Sequence, residues 1–256
     1  MIPPSFQRLA LITGEEALEK LAHTRALVFG LGGVGSWCAE ALARSGIGKI
    51  GLIDFDVVCE SNINRQIQAT SRTLGMLKAK ALQERLQEVN PKLEITVWEK
   101  IFTRENAGDF NIKNADYVID AIDSLGHKLD LIEITCASGV TLFSSMGMAQ
   151  KTDPTRIKTA SIWETRGCPL ARLVRQGLTK RGFAGNFTAV YSEEAAPRHE
   201  EILNLAIPYE DAPDTDGPVM VSPAGKKRIN GSAVTVTATA GMILASLVLR
   251  DIMGQT

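Results

Sequence analysis

The chain has 256 residues, of which 45% are hydrophobic and 22% are charged, and its formal net charge at pH 7 is −1. This composition is ordinary for a soluble globular protein, and the length accommodates one large domain or a domain with an added lobe. The near-zero net charge excludes a global field that would steer the chain to nucleic acid, and four cysteines without a C-x-x-C pair argue against a zinc ribbon.

Strand-like apolar runs alternate with segments of helical periodicity along the first 150 residues. The predicted helices cover residues 15–21, 34–45, 74–89 and 124–137, and the predicted strands cover residues 26–30, 49–54, 94–99, 117–122 and 141–146. Such an alternation is typical of a parallel sheet covered by helices on both faces. The predicted fold class is therefore α/β, Rossmann-like and doubly wound, with a mainly parallel sheet.

The pattern loosens after Met148, and we predict a smaller C-terminal extension there. The expected division is a Rossmann-like domain at residues 1–150 and an extension at 151–256 that packs on it. Within the extension we predict a strand at 156–162, a helix at 169–181 and a loop-like or partly disordered stretch at 193–230, which is polar and rich in Pro and Asp.

Residues 233–249 are apolar and uncharged and predict a helix. The run is short for a membrane span and contains several hydroxyl side chains, which favours a helix buried in a core or in a subunit interface. Membrane association is the alternative. The N-terminus has no basic-then-apolar signal pattern, and the expected location is the cytoplasm.

A glycine-rich turn stands where the first predicted strand becomes a helix. Gly30, Gly32 and Gly35 match G-x-G-x-x-G, with Gly33 between them, and they would let the backbone approach a phosphate at a helix N-terminus. Asp54 ends the next strand, 19 residues after Gly35, where a carboxylate can bind ribose hydroxyls. The turn and Asp54 predict nucleotide binding. The alternative is that the glycines form an ordinary turn and that Asp54 caps a helix.

Polar residues beyond Asp54 favour a triphosphate over a dinucleotide. Arg65 and Lys78 can neutralise a leaving pyrophosphate, and Asp123 is a hard oxygen ligand suited to Mg²⁺. Each could instead form a surface ion pair. Together they predict an ATP site, reached without the G-x-x-x-x-G-K-[ST] loop, which is absent.

The segments GLGGVGS and DFDVVCESNINRQ, followed by Lys78, resemble the adenylating superfamily of ubiquitin-activating-like enzymes. That resemblance implies that the protein uses ATP and Mg²⁺ to adenylate a carboxylate. It also implies a nucleotide site of Gly30, Gly32, Gly33, Gly35, Asp54 and Asp56, phosphate contacts from Asn62, Arg65 and Lys78, and Asp123 as the metal ligand. A homodimer follows from the same resemblance, with Arg8 reaching the triphosphate bound by the partner subunit.

The later segments, including YVIDAIDS, MGMAQKTDPTRI and GKKR, resemble the tRNA threonylcarbamoyladenosine dehydratases within this superfamily. This narrower resemblance covers nearly the whole chain. It implies that the substrate is threonylcarbamoyladenosine next to the anticodon, whose carboxyl is adenylated and then closes into a ring. Cysteine-desulfurase or sulfur-acceptor proteins are further candidate partners. Cys168 lies in the half of the chain where related activators carry a thiol, although ring closure needs none.

Residues 151–185 contain eight basic and two acidic residues. On the predicted helix, Arg172, Arg175 and Lys180 lie away from an apolar face of Leu170, Leu173, Val174, Gly177 and Leu178. A basic stripe on a packed helix suits tRNA phosphates, and a solvated helix face is the alternative. Residues 226–228 form a second basic cluster, which could instead pair with the acidic stretch before it.

Three other functions remain open at this point. An activator of a small ubiquitin-like sulfur carrier would share every nucleotide residue, although the missing zinc cysteines count against it. An NAD-dependent oxidoreductase would share the glycine turn. A non-catalytic scaffold would bind ATP through the same cations without turnover.

Overall fold

The computed structural model describes residues 2–195 and 231–255. Within them, the α-helices are α1 (Gln7–Thr13), α2 (Glu15–His23), α3 (Gly35–Arg44), α4 (Lys78–Val89), α5 (Leu125–Ala137), α6 (Pro169–Lys180) and α7 (Val234–Ile252). The strands are β1 (Arg25–Phe29), β2 (Lys49–Ile53), β3 (Glu94–Trp98), β4 (Tyr117–Asp120), β5 (Thr141–Ser145), β6 (Ile157–Ser161) and β7 (Thr188–Ser192). Most of the predicted loop at 193–230, and the basic cluster at 226–228, lie outside the described residues.

The strands form one sheet in the order β3-β2-β1-β4-β5-β7-β6. All neighbouring pairs are parallel except β6, which runs antiparallel to β7 at the edge. The chain direction across the sheet reverses between β1 and β4, and such a switch point opens a crevice at the carboxyl ends of the strands. The α/β, Rossmann-like fold class is confirmed.

Burial explains why the strands form where they do. In β1, β2 and β5 the last four residues are buried, and β4 is buried throughout, as expected for inner strands covered on both faces. The edge strands β3 and β6 keep exposed positions. The core therefore lies on both faces of β1 and β4, and it fixes the carboxyl edge on which the candidate site is built.

The apolar helix α7 packs on α3. Val236, Ala240, Leu244 and Val248 are fully buried in the larger core cluster. A side-chain carbon at Gly241 would lie 2.5 Å from the Val34 carbonyl oxygen, so the two helices approach too closely for a larger residue. In the part of the chain described, α7 is the one helix long and apolar enough to cross a membrane. This is weak evidence for a membrane span, because core helices of soluble proteins can have the same length and composition.

Two sequence predictions need correction. The helix predicted from residue 74 begins at Lys78, because the Val58 amide donates to the Met76 carbonyl and the Lys78 amide donates to Asp56, which holds the preceding residues in a turn. On α6, Leu173 is 38% exposed while Ala171 is fully buried. A small residue such as Ala171 can be buried where two elements pack closely, whereas the predicted apolar face included the larger Leu173 and omitted Ala171.

Two elements were not predicted from the sequence. Helix α1 has exposed Leu11 and Ile12 and no buried residue, so its pattern does not stand out from a loop. Strand β7 comes soon after Gly185 and Asn186, which are typical of a turn, and the sequence was therefore not predicted as a strand. Because β6 and β7 continue the same sheet as β5, the extension is joined to the first 150 residues by strand pairing. The division at residue 150 itself stays a prediction.

Candidate active site

The glycine turn joins β1 to α3 at the switch point of the sheet. Gly30 has φ of 85°, a conformation that L-residues with a side chain rarely adopt. A side-chain carbon at Gly35 would lie 1.9 Å from the Gly30 carbonyl oxygen, so only glycine fits there. Gly32 has no heavy atom within 4 Å of the corresponding position. The turn is therefore tight on its inner side and open at Gly32, where an anion can approach the backbone.

Asp54 follows β2 and is tied to the glycine turn. Its Oδ2 accepts the Leu31 N–H at 2.6 Å and its Oδ1 accepts the Asp56 N–H at 2.9 Å. Burial raises the pKa of Asp54, and nearby Lys78 opposes that shift. The carboxylate is thus fixed beside the turn, in the position where ribose hydroxyls are bound in this fold.

Lys78 is the first residue of α4 and is nearly buried. Its Nζ donates to Asp56 Oδ2 at 2.6 Å. The β2–α4 connection thus brings Asp54, Asp56 and Lys78 to one place. In this state Asp56 neutralises Lys78, and a bound phosphate would compete with Asp56 for the ammonium group.

Arg65 reaches the glycine turn from the segment between β2 and α4. Its guanidinium donates to the Ser61 carbonyl at 2.8 Å and to Asn64 Oδ1 at 2.9 Å, and its stem lies next to Gly33. Burial lowers the pKa of Arg65, and the nearby Asp123 carboxylate opposes this shift. The structure therefore brings Arg65, the turn and Asp123 together.

Asn62 is buried and closes the turn that carries Arg65. Its Oδ1 accepts the Cys59 N–H at 3.1 Å. Trp37 on α3 supports the same segment, because its Nε1 donates to the Arg65 carbonyl at 2.9 Å. These contacts give Asn62 a supporting role for Arg65, and its predicted phosphate contact stays a prediction.

Asp123 lies in the turn between β4 and α5 and is exposed. The turn is close to the glycines, since a side-chain carbon at Gly30 would lie 2.7 Å from the Ala121 carbonyl oxygen. Among the described residues, no group of three or more His, Cys, Asp or Glu side chains could hold a metal ion by itself. A single carboxylate fits Mg²⁺ that keeps waters and binds substrate phosphates.

The C-terminal part of the chain completes the wall of the glycine turn, which the sequence did not reveal. Thr237 on α7 lies next to Gly33, because a side-chain carbon added at Gly33 would be 3.1 Å from the Thr237 side chain. Asn64 Nδ2 donates to the Ser232 carbonyl at 2.9 Å. Hydroxyl residues at the start of an apolar helix carried no signal of this contact.

Arg8 is exposed on α1 and stands apart from the other predicted site residues of its own chain. Phe6, two residues earlier, lies against Gly46. Gly46 precedes β2, at the amino edge of the sheet, whereas the glycine turn is at the carboxyl edge. Five-residue strands separate these two edges by about 16 Å.

The basic residues of α6 differ in their surroundings. Arg172 and Lys180 are exposed. Arg175 is half-buried, and its guanidinium donates to the Thr165 carbonyl at 2.9 Å and also contacts Thr165 Oγ1. The helix starts near Gly147 at the carboxyl edge, and Lys180 lies about 12 Å further along the helix axis than Arg172.

Several charges of the 151–185 stretch are engaged within the protein. Lys151 is buried, and its Nζ donates to the Ser192 and Glu194 carbonyls. Lys158 pairs with Glu193, and Arg181 pairs with Asp130 and Glu133. The surface charge is thus smaller than the sequence count indicates. Cys168 is buried just before α6, with Gly147 beside it.

Known proteins share the sequence pattern and the fold of this chain. The model of the ThiF family matches residues 6–255. The chain belongs to the ThiF family. The tRNA threonylcarbamoyladenosine dehydratase of Bacillus subtilis is 35% identical over 248 residues, covering 97% of this chain and 94% of the relative.

A crystal structure of the Escherichia coli enzyme of the same name, in complex with ATP, superposes with a TM-score of 0.83 at 34% identity, covering 98% of this chain and 94% of that one. The adenylyltransferase and sulfurtransferase UBA4 of Saccharomyces cerevisiae is 33% identical over 129 residues, only 50% of this chain and 29% of that protein. The resemblance to the dehydratases is confirmed, and the resemblance to the sulfurtransferase is more distant.

Proposed function

We propose that the protein is an ATP-dependent tRNA threonylcarbamoyladenosine dehydratase. A carboxylate oxygen of the modified nucleoside attacks the α-phosphorus of ATP, and pyrophosphate leaves. A nucleophilic atom of the same nucleoside then attacks the acyl carbon, which closes the ring and releases AMP. The observation that carries this proposal is full-length similarity to the dehydratases, joined to two cations beside a glycine turn.

The residues of the site divide the work of the adenylation step. Asp54 holds the ribose, and the turn from Gly30 to Gly35 presents backbone N–H groups at the N-terminus of α3 to the phosphates. Arg65 offers a planar fork and Lys78 a point charge to the phosphates as negative charge moves onto pyrophosphate. Displacement of Asp56 from Lys78 by the triphosphate would deliver this charge only when ATP is present.

Mg²⁺ would be held by Asp123 and the phosphates of ATP, and it would supply further neutralisation of the triphosphate. The exposure of Asp123 and its place next to the glycine turn and Arg65 support this assignment. Asp123 also lowers the cost of holding the partly buried Arg65 guanidinium near the phosphates.

We propose that the protein is a cytoplasmic homodimer in which Arg8 of each subunit contacts the triphosphate bound by the partner subunit. Support comes from the place of Arg8, exposed and at the edge opposite its own site. A helix with no buried residue, and with Leu11 at 86% exposure, gains burial by packing against a second copy.

We propose that tRNA binds the exposed face of α6, from Arg172 to Lys180. Arg172 is near the carboxyl edge and would contact phosphates close to the reacting nucleoside, while Lys180 would contact the backbone further away. Arg175 holds the turn before α6 through Thr165, and its predicted phosphate contact would require those bonds to break. Sulfur-relay proteins remain candidate partners without a contact in the described residues that favours them.

The decisive experiment incubates the protein with ATP, Mg²⁺ and tRNA that carries threonylcarbamoyladenosine, followed by mass spectrometry of the nucleosides. We expect a nucleoside lighter by one water, formed with AMP and pyrophosphate. ADP and phosphate as products would contradict the adenylation step. Unchanged tRNA, with adenylation of a carrier protein's C-terminus instead, would favour the sulfur-carrier alternative.

A further inference from the structure

The carboxyl end of β4 contains a buried charged pair that the proposed reaction does not use. Asp120, Lys128 and Ser144 are each fully buried. Lys128 Nζ donates to Asp120 Oδ2 at 2.8 Å, and Ser144 Oγ donates to the same oxygen at 2.6 Å. Two desolvated charges cost free energy that a pair of apolar residues would not, so this pair calls for an explanation beyond stability.

The second carboxylate oxygen of Asp120 points to that explanation. Asp120 Oδ1 accepts the Ile122 N–H at 3.1 Å, and Ile122 directly precedes Asp123. The carboxylate thus bridges α5 and β5 on one side and the β4–α5 turn on the other. Because Lys128 and Ser144 bind the other oxygen, Asp120 is held with Oδ1 against the Ile122 amide, which ties the turn to the sheet.

We propose that Asp120 is a positioning residue for Asp123, acting through the Ile122 N–H, while Lys128 neutralises its buried charge. Asp120 holds the β4–α5 turn so that the Asp123 carboxylate faces the triphosphate next to the glycine turn, and the benefit appears as tighter Mg²⁺-dependent binding of ATP. This inference rests on the proposed role of Asp123 in the site. It assigns Asp120 no contact with the nucleotide or with the metal.

Two double variants separate the turn contact from the charged pair. D120A/K128M and D120N/K128M both remove the buried charges together, which avoids leaving one charge unpaired. Only the asparagine keeps an oxygen that can accept the Ile122 N–H. Calorimetry measures binding of the non-hydrolysable α,β-methylene analogue of ATP, with Mg²⁺ and with EDTA, and the ratio of the two affinities is the readout.

We expect D120A/K128M to lose about tenfold or more of this Mg²⁺-dependent ratio, with similar affinity in EDTA, and D120N/K128M to stay within about threefold of the wild type, since roughly one well-placed hydrogen bond is at stake. Equal ratios in the two double variants would overturn the proposal. D123A is the reference, and it should lose the Mg²⁺-dependent part in full. If D123A keeps the wild-type ratio, the assigned role of Asp123 falls and this inference falls with it, whereas an effect in D123A alone overturns only the inference.

Hydrogen exchange of the wild-type protein tests the same point without any variant. A turn held in advance predicts slow exchange of the Ile122 amide both with and without the nucleotide and Mg²⁺. Protection that develops only after the ligand is added would overturn the proposal, even if the double variants fail to fold.

Discussion

Asp123 combines two properties that rarely occur together in a structural carboxylate. It is exposed, and it lies close enough to Arg65 to oppose the fall in the pKa of that guanidinium caused by burial. An exposed carboxylate near the phosphate site contributes little to folding, because surface pairs are worth about 0–1 kcal/mol. Its proposed role is to hold Mg²⁺ when the nucleotide is bound.

Asp123→Ala should therefore abolish most turnover and leave folding intact. Loss of one interaction with developing charge costs roughly 3–4 kcal/mol, about a hundredfold or more in rate. ATP–pyrophosphate exchange measures the rate, and thermal unfolding measures stability. Glu94→Ala is a matched control, since Glu94 is an exposed carboxylate that pairs with Lys49 at the amino edge of the sheet, opposite the site. Near-normal exchange in the Asp123 variant would remove it from the proposed metal site.

At the scale of elements, the crossing of α3 and α7 joins the C-terminal extension to the nucleotide site. The same α7 helix that buries Ala240 and Leu244 in the core brings Thr237 against Gly33. Packing of the last helix and the shape of the glycine turn are therefore linked. A substitution where α3 and α7 cross should therefore lower the free energy of unfolding and also alter nucleotide binding.

Gly241→Ala tests this crossing. The added carbon would lie 2.5 Å from the Val34 carbonyl oxygen and 2.9 Å from the Cys38 nitrogen, both backbone atoms that cannot rotate away. We expect destabilisation of about 1–3 kcal/mol, as for other overpacked cores. The matched control is Gly126→Ala on α5, which has nothing within 4 Å and should be neutral or stabilising by up to about 1 kcal/mol. Chemical denaturation of both variants gives the comparison, and equal stabilities would show that the helices can move apart.

The exposed face of α6 gives the prediction for tRNA. Replacing Arg172 and Lys180 by Ala should weaken tRNA binding while ATP binding stays intact, and the salt dependence of log K should fall by roughly 0.7–0.9 for each phosphate that the variant no longer neutralises. Because Arg172 is nearer to the carboxyl edge of the sheet, its single variant should also lower the rate of cyclisation. Lys92 and Lys113, both exposed elsewhere, provide an alanine double variant of equal charge change. If the two double variants bind tRNA equally, the helix face is an ordinary solvated surface.

At the scale of the whole molecule, the site of one chain contains Asp54, Arg65, Lys78 and Asp123 but not Arg8. A partner subunit that supplies Arg8 makes a simple prediction for mixed variants. Arg8→Ala and Asp123→Ala chains should each be inactive, and a mixture should regain up to about half of the activity per mixed dimer, because one of its two sites then holds both residues. Activity assays after mixing, together with native mass spectrometry of the dimers, provide the test. Mixed dimers that form without any activity would contradict a shared site.

Much of this protein could be predicted without coordinates, because its signals are local. The glycine turn, the acid at the end of β2 and the strand-helix alternation depend on neighbouring residues, and the parallel sheet, the nucleotide site and the family follow from them. The start of α4 could not be predicted in this way, since the hydrogen bonds that hold residues 74–77 in a turn come from Asp56 and Val58.

Tertiary structure alone decided which charges are free to act. Lys151, Lys158 and Arg181 read as surface cations along the chain, yet each is held by a carbonyl or carboxylate that lies far away in sequence. The Asp120–Lys128 pair was likewise hidden within YVIDAIDS and the helix after it, because only burial turns a common pair of residue types into a rigid support. Sequence determined the fold and the nucleotide chemistry through short-range pattern, whereas burial and long-range pairing determined which side chains remain available to a substrate.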